Sequence, residues 1–282
     1  MSHVSLDKSR LANLSAEKTA RYDALIVAEY GRQNRMLMLS VGILALVAVS
    51  AGFTGLFDVE RLAGAPEAFA VLGGEMVPPD FTNIRDWIRP LIDTLAMSIA
   101  GTALAVIISV PLGFLAARNT TPNIVVYQAA RFLLNVLRSI PELIMGILFV
   151  AAVGFGPLPG VLALGFHSVG MVGKFFAESI EHVDERPIEA AEAAGAHGFQ
   201  IIQHAVFPQV LSQFADTTIY RWEYNFRAST VMGMVGAGGI GFELMSSLRL
   251  MNYTEVSAIL ITILVMVSLV DAIGSLLRRL LK

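Results

Sequence analysis

The sequence predicts an all-α membrane protein with six transmembrane helices and both termini in the cytoplasm. Three observations lead to this prediction. The 282 residues are 55% hydrophobic and only 15% charged, with a mean hydropathy of +0.65, whereas soluble domains carry roughly 25% charged residues. Six long apolar runs follow one another, each long enough for a helix that crosses a bilayer. Basic residues flank the first and last runs, as the positive-inside rule requires of cytoplasmic ends.

The transmembrane domain is predicted to occupy residues 36–282. Its spans are expected at 36–57, 89–117, 124–153, 159–180, 208–232 and 255–277. The first run is longer than the apolar region of a signal peptide and follows 35 residues, so we interpret it as a true span. Pro111 predicts a break in the second span and Pro141 predicts one in the third, because proline removes a helical hydrogen bond.

The distribution of charge sets the predicted orientation. The loop 58–88 carries six acidic residues against two arginines and is expected outside. Residues 1–35 form a predicted cytoplasmic segment, either an amphipathic helix lying on the membrane or a solvated tail. The net charge of −3 provides no basic field of the kind that binds nucleic acid. The basic flanks are Lys8, Arg10, Lys18, Arg21, Arg32 and Arg35 before the first span, and Arg278, Arg279 and Lys282 after the last.

The stretch VGAGGIGF at 235–242 matches the spacing G-x-G-x-x-G of a dinucleotide-binding turn. That motif functions between a strand and a helix of a soluble βαβ unit. Here it lies between two membrane spans, so we reject the nucleotide interpretation. Glycines at a membrane boundary instead permit a non-helical turn that is buried in protein or lines an aqueous cavity. The glycines concerned are Gly236, Gly238, Gly239 and Gly241.

Residues 182–207 form a cytoplasmic loop between the fourth and fifth spans, and the loop predicts a short helix. Asp184 can cap it, Pro187 suits its first turn and Gly195 can end it. The helix body consists largely of alanine and glutamate, which favour helix. Because so small a helix cannot build a core alone, we interpret it either as a plug for a groove on another protein or as a plain surface helix.

The spacing within this loop resembles the EAA motif of ABC importer permeases. Three residues separate Glu189, Ala190 and Ala191 from Gly195, and nine more separate Gly195 from A-V-F-P, which ends at Pro208. Ala205 and Phe207 depart from the usual branched residue and leucine, but both remain apolar. In that family the loop is a coupling helix that docks into an ATPase subunit, and the resemblance implies the same role here.

Three further elements resemble the phosphonate-transport type of these permeases: NVLRSIPEL at 135–143, GFHSVGMVGKFFAESIE at 165–181 and YRWEYNFRASTVMGMVGAGGIG at 220–241. The R-S-I-P of the first element and the V-G-A-G-G-I-G of the last also resemble the related methionine-type permeases. The resemblance implies a type I importer fold in the inner membrane and transport of phosphonates, or of phosphite or phosphate. It further implies a second copy of this chain, two ATPase subunits, an extracytoplasmic binding protein and surrounding lipid as partners.

Charged residues within the spans form the candidate translocation path or gate. The spacing i,i+4 allows three pairs, Arg138 with Glu142, Lys174 with Glu178, and Glu223 with Arg227. Ionisable residues at this depth usually face a bundle interior or a cavity. Two interpretations remain open: a cationic lining for an anionic solute, or ion pairs that only hold the structure together. The candidate residues are Arg138, Ser139, Pro141, Glu142, Arg221, Glu223 and Arg227, together with the four glycines of the 235–242 turn.

No catalytic or metal-binding residues are predicted. The chain has no cysteine, its histidines lack the spacing H-E-x-x-H, and no phosphate-binding loop G-x-x-x-x-G-K-[ST] occurs. ATP and Mg are therefore expected to bind to a partner ATPase and not to this chain. The alternatives are a permease for another small solute such as methionine, an intramembrane enzyme, which would need a nucleophile with a base, and a channel, which would not need the 182–207 loop.

Overall fold

The computed structural model describes residues 8–281, apart from the side chains at positions 8–20, 22–24, 26, 27 and 61. Within this range every regular element is helical, which confirms the predicted all-α class. Predictions that concern residues 1–7 and Lys282 lie outside the described residues. By contact density the chain divides into two compact units, Met1–Val71 and Leu72–Lys282.

The described residues form eleven α-helices, with a π-helical turn at Ile202–Val206 before α9 and a 3-10 turn at Gly233–Val235 after it. Their bounds are α1 Lys8–Phe53, α2 Val59–Glu75, α3 Ile88–Ala116, α4 Ile124–Ser139, α5 Glu142–Val153, α6 Pro157–Glu181, α7 Glu185–Ala193, α8 Gly198–Ile201, α9 Phe207–Met232, α10 Ile240–Arg249 and α11 Tyr253–Leu280.

The first unit contains α1 and most of α2. α1 continues without interruption past residue 35, so the predicted N-terminal segment is not a separate helix. The placement of residues 1–35 on a membrane surface stays a prediction. α2 lies in the predicted outside loop 58–88 and is an element that the sequence analysis did not predict.

Four segments are long and apolar enough to cross a membrane: Ala28–Phe53, α3, α6 and α11. Two bent helix pairs bring the number to six. α4 and α5 meet at 87°, and the segment Gly198–Val235 meets α10 at 45°. Each predicted span therefore has a counterpart, but the third and fifth belong to bent pairs. The single span predicted over 124–153 is in fact two helices, because the chain leaves the helical conformation at Ile140 and Pro141.

The break predicted at Pro111 is wrong, since α3 runs through this residue to Ala116. Proline within a membrane helix is tolerated where a neighbouring helix supports the chain. α3 packs along α6 more extensively than any other pair of helices. On either side of Pro111, Ser109 donates a hydrogen bond to the Val169 carbonyl at 3.4 Å, and Gly113 packs against Phe176. α6 therefore supports α3 on both sides of the proline.

α6 forms the centre of the second unit and packs against α3, α4, α5 and α9. The rings of Phe176 on α6 and Phe214 on α9 stack at 3.8 Å between centroids. Gly170 allows α4 to approach closely, since a Cβ at this position would lie 2.6 Å from the Arg138 nitrogen and 2.7 Å from the Leu134 carbonyl oxygen. Gly170 is thus a position of close packing between α6 and α4.

Candidate functional site

The short helix predicted within the 182–207 loop is present as α7, with the expected beginning and end. Asp184 is its N-cap and accepts a hydrogen bond from the Arg186 backbone at 3.1 Å. The Arg186 side chain also donates to this carboxylate and thereby lowers the pKa of Asp184 below its ordinary value. Gly195 follows the helix with a φ of 82°, and the Ala196 nitrogen donates back to the Ala191 carbonyl at 3.0 Å. This is the glycine stop that the sequence predicted.

α7 presents most of its surface outward. None of its residues is buried. Glu189 and Ala190 are exposed, Ala191 is half-buried, and Pro208 is exposed at the start of α9. Ile188 is directed inward and packs against the core between α6 and α9. A helix of two turns with one anchoring side chain and an open outer face is suited to contact another surface.

Gln209 fixes α7 to α9, a contact that the sequence analysis missed. Its side-chain oxygen accepts a hydrogen bond from the Asp184 backbone at 3.0 Å, and its side-chain nitrogen donates to the Ala205 carbonyl at 2.6 Å. Gln209 therefore links the beginning of α7 to the first turn of α9. The sequence offered one signal for this contact, because Gln209 directly follows Pro208, the last residue of the EAA spacing.

The break between α4 and α5 separates two residues that were expected to pair. Arg138 is exposed and donates to the Asn135 side chain at 3.3 Å, whereas Glu142 opens α5 and turns into the bundle. The predicted pair is wrong because Pro141 redirects the chain between them. Ser139 is exposed at the end of α4.

Side chains from α6 and α9 hold the break. His167 on α6 places Nδ1 3.1 Å from the Ile140 carbonyl, which the break leaves without a helical partner. Its Nε2 lies 3.7 Å from the Glu142 carboxylate. Tyr224 on α9 donates its hydroxyl to Glu142, 3.2 Å from each carboxylate oxygen. The break is thus attached to two helices.

Arg221 lies in a buried polar network that joins α9, α6 and α3. Its Nε donates to the Ser168 hydroxyl at 2.8 Å, and that hydroxyl donates to the Asn225 side-chain oxygen at 3.0 Å. The Asn225 nitrogen donates to the Thr102 hydroxyl at 2.9 Å. Arg221 is only 2% exposed, and its guanidinium lies 4.2 Å from the centre of the Tyr224 ring. The predicted orientation of Arg221 toward an interior is confirmed.

Glu223 and Arg227 do not pair with each other, so that prediction is wrong. Both face α11, which brings a charge of opposite sign to each. Arg278 Nη1 lies 2.8 Å from Glu223 Oε1, and Arg227 Nη1 lies 3.1 Å from Asp271 Oδ1. Gly274 lies between these partners on α11 and contacts Glu223, where a Cβ would overlap the carboxylate. Glu223 Oε1 lies at ion-pair distance from Arg278, but it has no partner in hydrogen-bond geometry among the described residues.

The glycine-rich turn joins α9 to α10 without any strand among the described residues. Gly236, Gly238 and Gly239 have φ values of 102°, 73° and 74°, which favour glycine. Gly241 packs directly on the backbone of α9, where a Cβ would overlap the Thr230 carbonyl oxygen. These glycines lie at the end of α9 opposite α7, and the structure does not bring them to Arg221.

Thr94 anchors this turn to α3. Its hydroxyl accepts a hydrogen bond from the Ile240 backbone at 2.9 Å and donates to the Pro90 carbonyl at 2.9 Å, and both Thr94 and Ile240 are fully buried.

We expect Thr94→Val to destabilise the protein by about 1–3 kcal/mol, because it leaves the Ile240 N–H buried without an acceptor. Thermal unfolding in detergent measures the loss. Thr262→Val is the matched control, since the Thr262 hydroxyl only donates within its own helix, and equal losses in both variants would contradict this anchor.

An open cavity of about 760 Å³ lies between the end of α6 and the beginning of α9, beside α7. Its walls include Phe175, Gln209 and Gln213, and it extends to Met171 and Tyr220. The Met171 sulfur lies 3.1 Å from Arg221 Nη1. One methionine side chain therefore separates the buried guanidinium from the cavity.

Several side chains around Arg221 were not predicted as site residues. They are His167, Ser168, Tyr224 and Asn225. The available signal was helical spacing, since Tyr224 and Asn225 follow Arg221 by three and four residues and so share its face of α9.

Comparisons with known proteins identify relatives of this chain. Residues 109–282 match the family model described as binding-protein-dependent transport system inner membrane component. The chain is 66% identical over 237 residues to the phosphite transport system permease protein PtxC of Stutzerimonas stutzeri, which covers 84% of this chain and 86% of that protein. It is 44% identical to the phosphate-import permease protein PhnE of Mycolicibacterium smegmatis, over 73% of this chain and 39% of that protein.

Among solved structures, the inward-facing MetNI methionine ABC transporter has a similar fold. One of its chains superposes with a TM-score of 0.63 at 21% sequence identity, covering 72% of this chain and 99% of that one. At this identity the similarity concerns the fold alone, and it agrees with the type I importer architecture that the sequence predicted.

Proposed function

Because the chain belongs to the family of binding-protein-dependent transport system inner membrane components, we propose that it forms the membrane path of an ATP-driven importer for phosphorus oxyanions. The solute class includes phosphonate, phosphite and phosphate. The observation that carries this proposal is Arg221, a buried cation without an ion-pair partner among the described residues, one side chain from the cavity. A buried cation of this kind favours an anionic solute.

The relatives support the same solute class. One relative is named as a phosphite transport permease and another as a phosphate-import permease. The alternative, a methionine permease, has only the fold similarity in its favour. Of the predicted path residues, Arg221 and Glu142 keep this role in our proposal, whereas Glu223 and Arg227 hold α11 against α9.

The partners follow from the proposed transport cycle. Two copies of the chain enclose the path, two ATPase subunits bind ATP and Mg, and an extracytoplasmic binding protein delivers the solute. α7 docks into an ATPase subunit through Glu189, Ala190 and their exposed neighbours. This places the α7 end of the bundle and both termini in the cytoplasm, with 58–88 outside. The chain itself has no catalytic role.

The proposal is tested with the complete importer in proteoliposomes. We expect ATP-dependent accumulation of radiolabelled phosphite, methylphosphonate or phosphate, with no accumulation of methionine. Omission of the binding protein and an ATPase subunit that cannot hydrolyse ATP serve as controls, and each should reduce uptake to background. Accumulation of methionine without any phosphorus oxyanion would refute the proposal.

A further inference from the structure

Arg221 has a hydrogen-bonding capacity that this structure does not use. Its Nε is bonded to Ser168, its Nη1 contacts Met171, and its Nη2 is buried without a hydrogen-bond partner among the described residues. An unsatisfied buried donor is costly, and more so on a charged group. Such a donor indicates that another group occupies this position in a different state of the protein.

Glu142 is the acid on the far side of Tyr224, and no ion pair within 4.0 Å joins it to Arg221. Tyr224 connects them, because its ring lies against the guanidinium and its hydroxyl donates to the carboxylate. We refer to Arg221, Tyr224 and Glu142 as the Arg221 cluster. This cluster has two hydrogen-bond donors, Arg221 Nη2 and the Tyr224 hydroxyl. An oxyanion, which accepts hydrogen bonds, would require donors of this kind.

We propose that Arg221 and Tyr224 bind one phosphorus oxyanion, and that Glu142 is the internal anion which this ligand displaces. This inference rests on the proposed function. A tetrahedral anion with one to two negative charges could accept hydrogen bonds from both donors through separate oxygens. It would take the Tyr224 hydroxyl from Glu142 and repel that carboxylate, because two anions near one guanidinium disfavour each other.

Displacement of Glu142 acts on the break between α4 and α5. Glu142 is the first residue of α5, and its contacts with Tyr224 and His167 hold this helix end against α9 and α6. When the oxyanion binds, α5 loses these contacts and becomes free to move. Arrival of solute is thereby coupled to a rearrangement of a bent span.

Access and release are provided by Met171. This side chain separates Arg221 from the 760 Å³ cavity, and methionine is flexible enough to move aside. After the anion leaves, Glu142 returns to Tyr224. The exchange keeps the site weak, as transport requires, since the solute competes with an internal carboxylate.

The test measures binding of radiolabelled phosphite to the purified permease–ATPase complex by equilibrium dialysis, without the binding protein. We expect Glu142→Gln to bind phosphite about tenfold more tightly than wild type, because the competing charge is gone while shape is kept. Tyr224→Phe keeps the ring beneath the guanidinium and should bind about tenfold more weakly. Asp271→Asn is the matched control, since this carboxylate pairs with Arg227 and does not line the cavity, and it should bind as wild type.

A purely structural role for Glu142 predicts that Glu142→Gln binds phosphite as wild type does or more weakly, because loss of a stabilising contact gives the anion no additional attraction. Unchanged or weaker binding of phosphite by an assembled Glu142→Gln complex would therefore overturn the inference. Occupation of the site by phosphatidylglycerol, seen as displacement of phosphite by this lipid, would also overturn it. Uptake by wild type is measured in parallel. If wild type imports phosphorus oxyanions and Glu142→Gln binds no tighter, only this inference fails, whereas absence of wild-type uptake refutes the proposed function itself.

Discussion

Gly195→Val is expected to reduce ATP-driven uptake more than tenfold while the chain remains in the membrane and folded. Gly195 has a φ of 82°, and a Cβ at this position would meet no atom within 4 Å. The damage therefore comes from backbone strain and not from a clash. A β-branched residue held at positive φ costs about 1–3 kcal/mol, which is enough to displace the end of α7.

The reason for a large functional effect is the position of this turn. The bond from the Ala196 nitrogen to the Ala191 carbonyl closes α7, and the proposed docking residues lie within the preceding two turns. A shifted helix end changes the surface that the ATPase subunit contacts. Uptake and ATPase activity, measured on the same proteoliposomes, should separate, with uptake lost and ATP hydrolysis no longer stimulated by the loaded binding protein.

Gly198→Val provides the matched control. Gly198 lies three residues further on, has no positive φ and likewise has open space around it. The same side chain is therefore added without strain, and we expect uptake within about twofold of wild type. Normal coupling in an assembled Gly195→Val complex would exclude α7 as the transmission element.

Glu223→Ala should cause the largest loss of folded protein. Its carboxylate is almost fully buried and pairs with Arg278, whose side chain is only 30% exposed. Removal of one partner from a buried pair costs about 3–5 kcal/mol, because the remaining charge lacks compensation. Since Arg278 retains some solvent, we expect the lower end of this range. Membrane yield and thermal unfolding in detergent measure the effect.

Asp271→Ala is the matched comparison, because it removes the acid from the neighbouring pair on the same two helices. Arg227 and Asp271 are 46% and 47% exposed, so the protein buries this pair much less than it buries Glu223. We therefore expect a smaller loss of yield than from Glu223→Ala. Equal damage from both substitutions would show that burial does not distinguish these pairs. The double variant Glu223→Gln with Arg278→Gln should recover part of the yield, since neither charge is then left alone.

Local features of this protein could be determined from the sequence. The apolar runs predicted the number and positions of the candidate spans, since the hydrophobic length needed to cross a bilayer is read directly from composition. The cap at Asp184 and the stop at Gly195 were also predicted, because a short helix is begun and ended by residues within a few positions of it. Family membership followed from spacings within single segments.

The choice of charge partners depended on the tertiary structure. Of the three pairs expected at i,i+4, only Lys174 with Glu178 forms, at 3.5 Å on one uninterrupted helix. Arg138 and Glu142 are separated by a break, and Glu223 and Arg227 each meet α11 instead. A neighbour along a helix contributes only a few tenths of a kcal/mol, so a buried charge pairs with whichever opposite charge the packed helices bring to it. The rotation of each helix in the bundle determines that partner, and contacts between residues distant in sequence set this rotation.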